Sequence, residues 1–138
     1  MKDLVEASVL ANMQSAGTRE CSNALHALAT SGHSAKTHAH ILTALEQQMQ
    51  HVAHQSNPRD ISNSMWALAT LGRMPDAALL ATFSLRISEI GSEFAPQNVA
   101  NVLWAFAKLG AAPSDGVFAA LAAQAIAKSH AFRHTKKK

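Results

Sequence analysis

The chain of 138 residues has a single cysteine, no tyrosine, four prolines and six glycines, and its charged residues make up only 15% of the total. The lone cysteine, Cys21, excludes an internal disulfide framework and any zinc site built on paired thiolates. No apolar run approaches the roughly 18 residues that a membrane-spanning helix needs. We therefore expect a soluble chain with no membrane partner.

Excess positive charge is also missing from most of the chain. The formal net charge is +3, from twelve cationic and nine acidic side chains. Five of the cations lie near the carboxyl end, at Lys128, Arg133 and 136–138, and the remainder of the chain is slightly acidic. Charge alone therefore does not mark the body as a nucleic-acid clamp. The first residues show no signal or transit peptide.

What the chain does have is apolar residues, at 48%, with 28 alanines among them. Alanine loses no side-chain entropy in a helix, so this composition favours closely packed helices over strands. The length fits one domain with a buried core. We predict an all-α protein.

A repeat organises most of the chain. Residues 58–94 and 96–132 align with ten identities in 37 positions, including both tryptophans, and Cys21–Gly32 matches Ile61–Gly72 at seven of twelve positions. Each unit reads as two helices. The first, helix A, begins at Pro58 or Pro96 with Asn57 as a plausible N-cap, and ends at a glycine suited to a left-handed C-cap.

The second helix of each unit, helix B, starts near Pro75 or Pro113 and carries an apolar stripe at helical spacing. In the three units this stripe comprises Ile41, Leu42, Leu45, Met49 and Val52; Leu79, Leu80, Phe83, Ile87 and Ile90; and Val117, Phe118 and Leu121. A helix pair of this size cannot bury its apolar face alone, so neighbouring pairs must stack. The predicted fold is an α-solenoid of two-helix repeats of about 38–40 residues.

The predicted organisation is one solenoid over residues 1–132, followed by a basic, disordered tail at 133–138. Within the solenoid we assign a partial unit, helix B only, to 2–16, and three full units to 19–54, 57–94 and 95–132. The tail would add nonspecific attraction to phosphate. The absence of polar capping in 2–16 suggests a fragment of a longer array.

The core pattern Asn-x-x-Trp-Ala-x-Ala-x-Leu-Gly, complete at 101–110 and 63–72 and weaker in the first unit, resembles the octotricopeptide repeat (OPR) family. It is also similar to the helical repeats of FAST-kinase-like proteins. The resemblance implies a sequence-specific binder of single-stranded RNA in a chloroplast or mitochondrion, acting on RNA stability, processing or translation. Some such proteins are structural parts of organelle ribosomes. The resemblance does not supply the RAP domain that often follows these repeats, and we do not expect the few residues after Phe132 to hold one.

The polar face of helix A is the predicted RNA-binding surface, because amide, guanidinium and carboxylate groups can pair with base edges and other helical repeats read one base per unit. Glu20, Asp60 and Asn98 occupy equivalent positions and would encode different bases. The alternative is that they cap helix N-termini. The predicted RNA-binding residues are Arg19, Glu20, Asn23, Arg59, Asp60, Asn63, Thr70, Gln97, Asn98, Asn101 and Lys108.

Two recurring residue types favour structural roles. Asn23, Asn63 and Asn101 appear in every unit, so we expect a hydrogen bond between repeats or an RNA contact that does not depend on sequence. Trp66 and Trp104 could stack on bases. Their apolar neighbours favour packing inside the core instead.

No catalytic constellation, cofactor motif or small-molecule site is apparent. His40, His51 and His54 can share a helical face, but their spacing and lack of carboxylates indicate an exposed face rather than a metal site. Cys21 aligns with Ile61 and is interpreted as a small buried apolar group. We predict a non-enzymatic RNA-binding protein. The alternative is a protein-binding scaffold or a structural subunit of an organelle ribonucleoprotein such as the ribosome.

Overall fold

The structure, a computed structural model, describes residues 15–31 and 39–136, with side chains as far as Ala127. This part of the chain forms α-helices and two short 3-10 turns and contains no strand. The turns span Ala53–Gln55 and Gly91–Glu93. The helices are α1 (Thr18–Thr30), α2 (Ala39–Val52), α3 (Pro58–Leu71), α4 (Ala77–Ile90), α5 (Pro96–Leu109) and α6 (Asp115–Lys136).

The helices form two layers. Helix α3 packs between α1 and α5 in one layer, and α4 packs between α2 and α6 in the other. Within each unit the A helix also contacts the B helix that follows it, as α1 contacts α2 and α5 contacts α6. This arrangement confirms the all-α fold of stacked two-helix repeats.

The helix ends of the A layer follow the predicted signals. The Asn57 side chain accepts a hydrogen bond from the Asp60 backbone N–H at 2.8 Å, with Pro58 at the first position of α3. Gly72 and Gly110 follow the last residues of α3 and α5 with φ of 74° and 70°. Their N–H groups bond back into the helices, together with those of the next residues, as in a Schellman motif.

The core lies between the two layers and consists mostly of the predicted apolar stripes. Leu79, Phe83 and Ile87 of α4 are buried. The buried stripe residues of α2 are Leu42, Leu45 and Met49. Cys21 is fully buried, which confirms its interpretation as an apolar group; burial, assisted by the charge of Glu20, raises the pKa of its thiol to about 11. Phe118 is a correction, because it is 56% exposed rather than part of the stripe.

One ion pair fixes the B layer to the connection between α3 and α4. Arg73 donates two hydrogen bonds to Glu46 Oε2, from Nε at 3.1 Å and from an Nη at 3.0 Å, and a third to Thr43. Glu46 is buried, and its other carboxylate oxygen, Oε1, has no hydrogen-bond partner. Burial raises the pKa of Glu46, while the hydrogen bond and charge of Arg73 act in the opposite direction.

Two predicted segments lie at or beyond the ends of the described residues. The partial unit at 2–16 falls almost entirely outside them. At the other end, the backbone of α6 extends to Lys136, into the residues assigned to the tail. Among the described helices, none is both long and apolar enough to cross a membrane.

Substituting Gly72 with alanine should destabilise the fold without any steric clash. No atom lies within 4 Å of a Cβ built at Gly72, so the cost is that of the left-handed backbone alone, about 1–2 kcal/mol. Gly116→Ala is the matched control, because Gly116 lies in α6 with open space and no positive φ. It should leave the free energy of unfolding unchanged or raise it by at most about 1 kcal/mol. Urea denaturation measures both; equal losses would contradict this account of Gly72.

Replacing Arg73 with methionine should cost about 2 kcal/mol near pH 7, because Glu46 loses its charged hydrogen bonds. The pKa of Glu46 then rises further in the folded state. A carboxyl with a raised folded-state pKa loses its favourable contribution as pH rises through that value, so the loss should be smaller at pH 4.5 than at pH 7.5. Urea denaturation at both pH values measures this difference. Adding Glu46→Gln should remove it; a pH dependence that persists in the double variant would have another origin.

Candidate nucleic-acid interface

Each A helix exposes one stripe of side chains at positions spaced by four, three and four residues, which fall on a single helix face. Because α1, α3 and α5 lie side by side, the three stripes adjoin on one surface, which we call the A face. Its residues are Arg19, Asn23, His26 and Thr30 on α1; Arg59, Asn63, Trp66 and Thr70 on α3; and Gln97, Asn101, Trp104 and Lys108 on α5.

Most of the predicted RNA-binding residues lie on the A face. Its side chains are exposed on α1 and exposed or half-buried on α3 and α5. The structure thus brings the following predicted residues together: Arg19, Asn23, Arg59, Asn63, Thr70, Gln97, Asn101 and Lys108. Gln97 donates a hydrogen bond to Asn101 one turn later, at 3.1 Å.

The A face gathers the unpaired cations of the described chain. Arg73 pairs with Glu46, and Arg86 lies 4.0 Å from Glu89 while donating to the Ser56 carbonyl at 2.8 Å. The remaining cationic side chains that the structure describes form no ion pair within it, and all are on the A face: Arg19, Arg59 and Lys108. The local charge is therefore positive although the body as a whole is slightly acidic.

A cleft of about 230 Å³ opens between the first turns of α1 and α3. Arg19 and Asn23 line one side, and Asn57 and Arg59 line the other. Asp60 lies at its base. Gln97 of α5 occupies the position that Arg19 and Arg59 occupy on α1 and α3. Of the described A helices, only α1 and α3 therefore bring an arginine to this position.

Three residues predicted to distinguish bases, Glu20, Asp60 and Asn98, lie off the A face. Each directly follows the first A-face residue of its helix. Asp60 is 95% buried, and its carboxylate accepts hydrogen bonds from Thr18 at 2.8 Å and Ser22 at 3.4 Å of the preceding A helix. At the next boundary the direction is reversed, and the Asn98 amide donates to the Ser62 hydroxyl of the preceding A helix at 3.2 Å. These bonds join successive A helices, and we call them the inter-repeat bonds.

Two of these three residues also cap their own helices. Glu20 accepts from the Gly17 backbone N–H at 3.1 Å, and Asn98 accepts from that of Ala95 at 3.0 Å. The hypothesis that Glu20, Asp60 and Asn98 distinguish bases therefore needs correction for Asp60 and Asn98, whose polar groups are engaged within the protein. For Glu20, which is exposed, the structure shows the capping bond.

The recurring asparagines do not make the bond between repeats that was one of their two predicted roles. Asn101 bonds only within α5, and Asn23 and Asn63 make no side-chain hydrogen bond among the described residues. Ser22 and Ser62, one position earlier, supply that bond instead. Ser22 and Ser62 occupy the same position in the first two units, and this recurrence was the signal that could have identified them.

The two tryptophans lie nearer the surface than predicted, since both were expected to pack inside the core. Trp104 is 44% exposed, and Trp66 is only partly buried against the core. Together with His26 they form a row of rings across the three A helices. The ring centroids of His26 and Trp66 are 5.2 Å apart, and those of Trp66 and Trp104 are 6.5 Å apart, with planes inclined by 31° and 29°. We call this the ring row.

Metal-binding groups do not assemble in the described part of the chain, where no three His, Cys, Asp or Glu residues are placed to hold an ion. His54 contacts the amide of Gln55 at 3.3 Å, and both His51 and His54 are exposed. This agrees with an exposed histidine face.

The family described as Tbc2 translation factor, N-terminal domain, matches residues 2–136. The chain belongs to this family. No curated protein and no solved structure matches the chain. Membership of the Tbc2 N-terminal domain family relates the chain to translation factors, and the match covers all three repeats.

Replacing Asp60 with alanine in this Tbc2-type domain should lower the free energy of unfolding by about 2 kcal/mol, because the Thr18 and Ser22 hydroxyls lose a charged acceptor. Asp60→Asn should cost clearly less, since an amide oxygen still accepts and Asn98 fills the same position in the next unit. Thermal and urea denaturation measure both variants. Equal costs for the two substitutions would mean that the inter-repeat bonds do not stabilise the stack.

Proposed function

We propose that this domain binds single-stranded RNA through the A face and acts in translation. The observation that carries the proposal is the A face itself, on which every Lys or Arg side chain that the structure describes without an ion pair lies beside amide and hydroxyl groups. Phosphate contacts supply most of the affinity of such proteins, and amides and guanidinium groups bind base edges. A surface with both groups, repeated at each unit, suits an extended unpaired strand.

The wider setting is also proposed. The resemblance of the repeats to the OPR family supports an organelle, either chloroplast or mitochondrion, where RNA stability, processing or translation would be the affected step. The family's name, a translation factor, supports translation among these. The proposed role is binding, with no catalytic step and no cofactor. Three units that each read about one base would recognise only a short segment.

A protein-binding scaffold is the second candidate, with an organelle ribonucleoprotein such as the ribosome as the assembly. One observation favours it. Outside the A face the surface also exposes apolar side chains, at Leu85 and Phe118, which are 65% and 56% exposed. These lie in the B layer, so a protein contact there would leave the A face open.

The combined substitution of Arg19, Arg59 and Lys108 by alanine should weaken RNA binding and reduce its salt dependence. Each lost phosphate contact on a single strand lowers the slope of log K against log salt by about 0.7, so the triple variant should lose up to about 2. The ligand is RNA enriched from a randomised single-stranded pool at near-physiological salt. Fluorescence anisotropy across several salt concentrations gives the slope.

Two controls separate the A face from general charge. Arg86→Ala removes one cation outside the A face and should leave affinity unchanged, provided that helicity by circular dichroism is preserved. Replacing Lys136, Lys137 and Lys138 by glutamine tests the basic end of the chain. Binding that vanishes with these lysines but survives the triple substitution would reject the A face as the RNA site and favour the scaffold.

A further inference from the structure

We propose that the ring row is a stacking platform for unpaired nucleobases and that Trp104 provides its open surface. This inference rests on the RNA-binding function proposed above and deepens it, because it names the part of the RNA that the site takes. It assigns a binding role to His26, Trp66 and Trp104, none of which belongs to the polar set predicted from the sequence.

The geometry of the ring row suits flat ligands. Neighbouring rings are inclined by 29° and 31°, so each ring across α1, α3 and α5 is closer to parallel than to perpendicular to the next. A stacked base buries apolar area against such a ring whatever its hydrogen-bonding pattern, because every base has a π face. The row crosses the helices and so follows the direction from one repeat to the next.

Trp104 is the accessible member. Its neighbours on the surface of α5, Ala100 one turn before and Ala107 one turn after, are both exposed and have only methyl side chains. The corresponding residues on α3, Ser62 and Ala69, are buried. Within the described residues, the indole of Trp104 is therefore bordered by small groups that leave room for a second ring.

Charge on either side of the ring row favours nucleic acid as the occupant. Lys108 follows Trp104 by one turn, about 6 Å along the helix axis. Arg59 lies about two turns before Trp66 on α3, and neither cation is paired within the described chain. The A-face stripes contain no carboxylate. A base on Trp104 would thus leave its phosphate beside an unpaired ammonium group, which an apolar protein partner would not use.

The test combines Trp104→Ala with removal of single bases from the RNA. The probe is the enriched RNA of the previous section, made as a series in which one nucleotide at a time is abasic, so that length and phosphate charge stay constant. Trp104→Ala should weaken binding by about tenfold. One abasic position should cost the wild type a similar factor and cost the variant little, because both changes remove the same contact.

Two further variants serve as controls. Trp104→Phe keeps an aromatic surface and should recover part of the affinity. Leu85→Ala removes an apolar side chain of the B layer that is 65% exposed, against 44% for Trp104, and should have no effect on RNA binding. Addition of the RNA should also quench tryptophan fluorescence in the wild type and quench it less in Trp104→Ala, where Trp66 remains as the reporter.

The outcomes separate this inference from the proposed function. If Trp104→Ala and every abasic RNA bind as the wild type does, while the Arg19, Arg59 and Lys108 triple variant still binds weakly, bases do not stack on the ring row and the RNA-binding function stands. If no RNA is enriched, both proposals fail. If Trp104→Ala instead dissolves an oligomer seen by light scattering, with RNA affinity unchanged, the indole contacts protein and the inference is wrong.

Discussion

The packing of each A helix against the preceding one is the interaction on which the rest of the structure depends. A two-helix unit cannot bury its apolar side chains by itself, so the core between the two layers is completed only where units stack, as α3 does between α1 and α5. The inter-repeat bonds of Asp60 and Asn98 add direction to this apolar contact. They fix the rotation of each A helix relative to its neighbour, and this rotation brings the three stripes of the A face onto one surface.

The contacts that hold the stack and the proposed ligand contacts use adjacent positions of the same helix. On α3, Asp60 turns toward α1 and is buried, whereas Arg59, the residue before it, faces outward and is unpaired. The following turn repeats the division, with Ser62 bonded to α5 and Asn63 on the A face. A residue on the A face can therefore change between units without disturbing the fold, as Arg59 and Gln97 illustrate.

The sequence was sufficient for the fold because the repeat, the proline starts and the glycine ends are local signals, and Gly72 and Gly110 adopt the backbone conformation that they predict. It was less informative about which neighbour covers a given side chain. Apolar neighbours in sequence suggested a buried Trp104, yet the indole lies at the edge of the A face. Asp60 misled in the opposite direction, since a carboxylate usually indicates a surface, and only the hydroxyls of α1 explain its burial. The helical period groups residues on a face, but the packing of units decides which faces meet.

The inter-repeat bonds also make the order of the units significant. Ser22 and Ser62 present hydroxyls to the following unit, but alanine occupies the same position in the third unit, at Ala100. A unit carrying an aspartate like Asp60 could follow the first unit, where Thr18 and Ser22 donate to that carboxylate. After the second unit it would meet Ser62, whose hydroxyl donates to the Arg59 carbonyl and accepts from Asn98. Placed after the third, it would bury a carboxylate against a methyl group, at a cost of several kcal/mol. Duplicated modules of this kind are therefore not freely interchangeable, and recombination or engineering of the array must preserve these matched pairs across each junction.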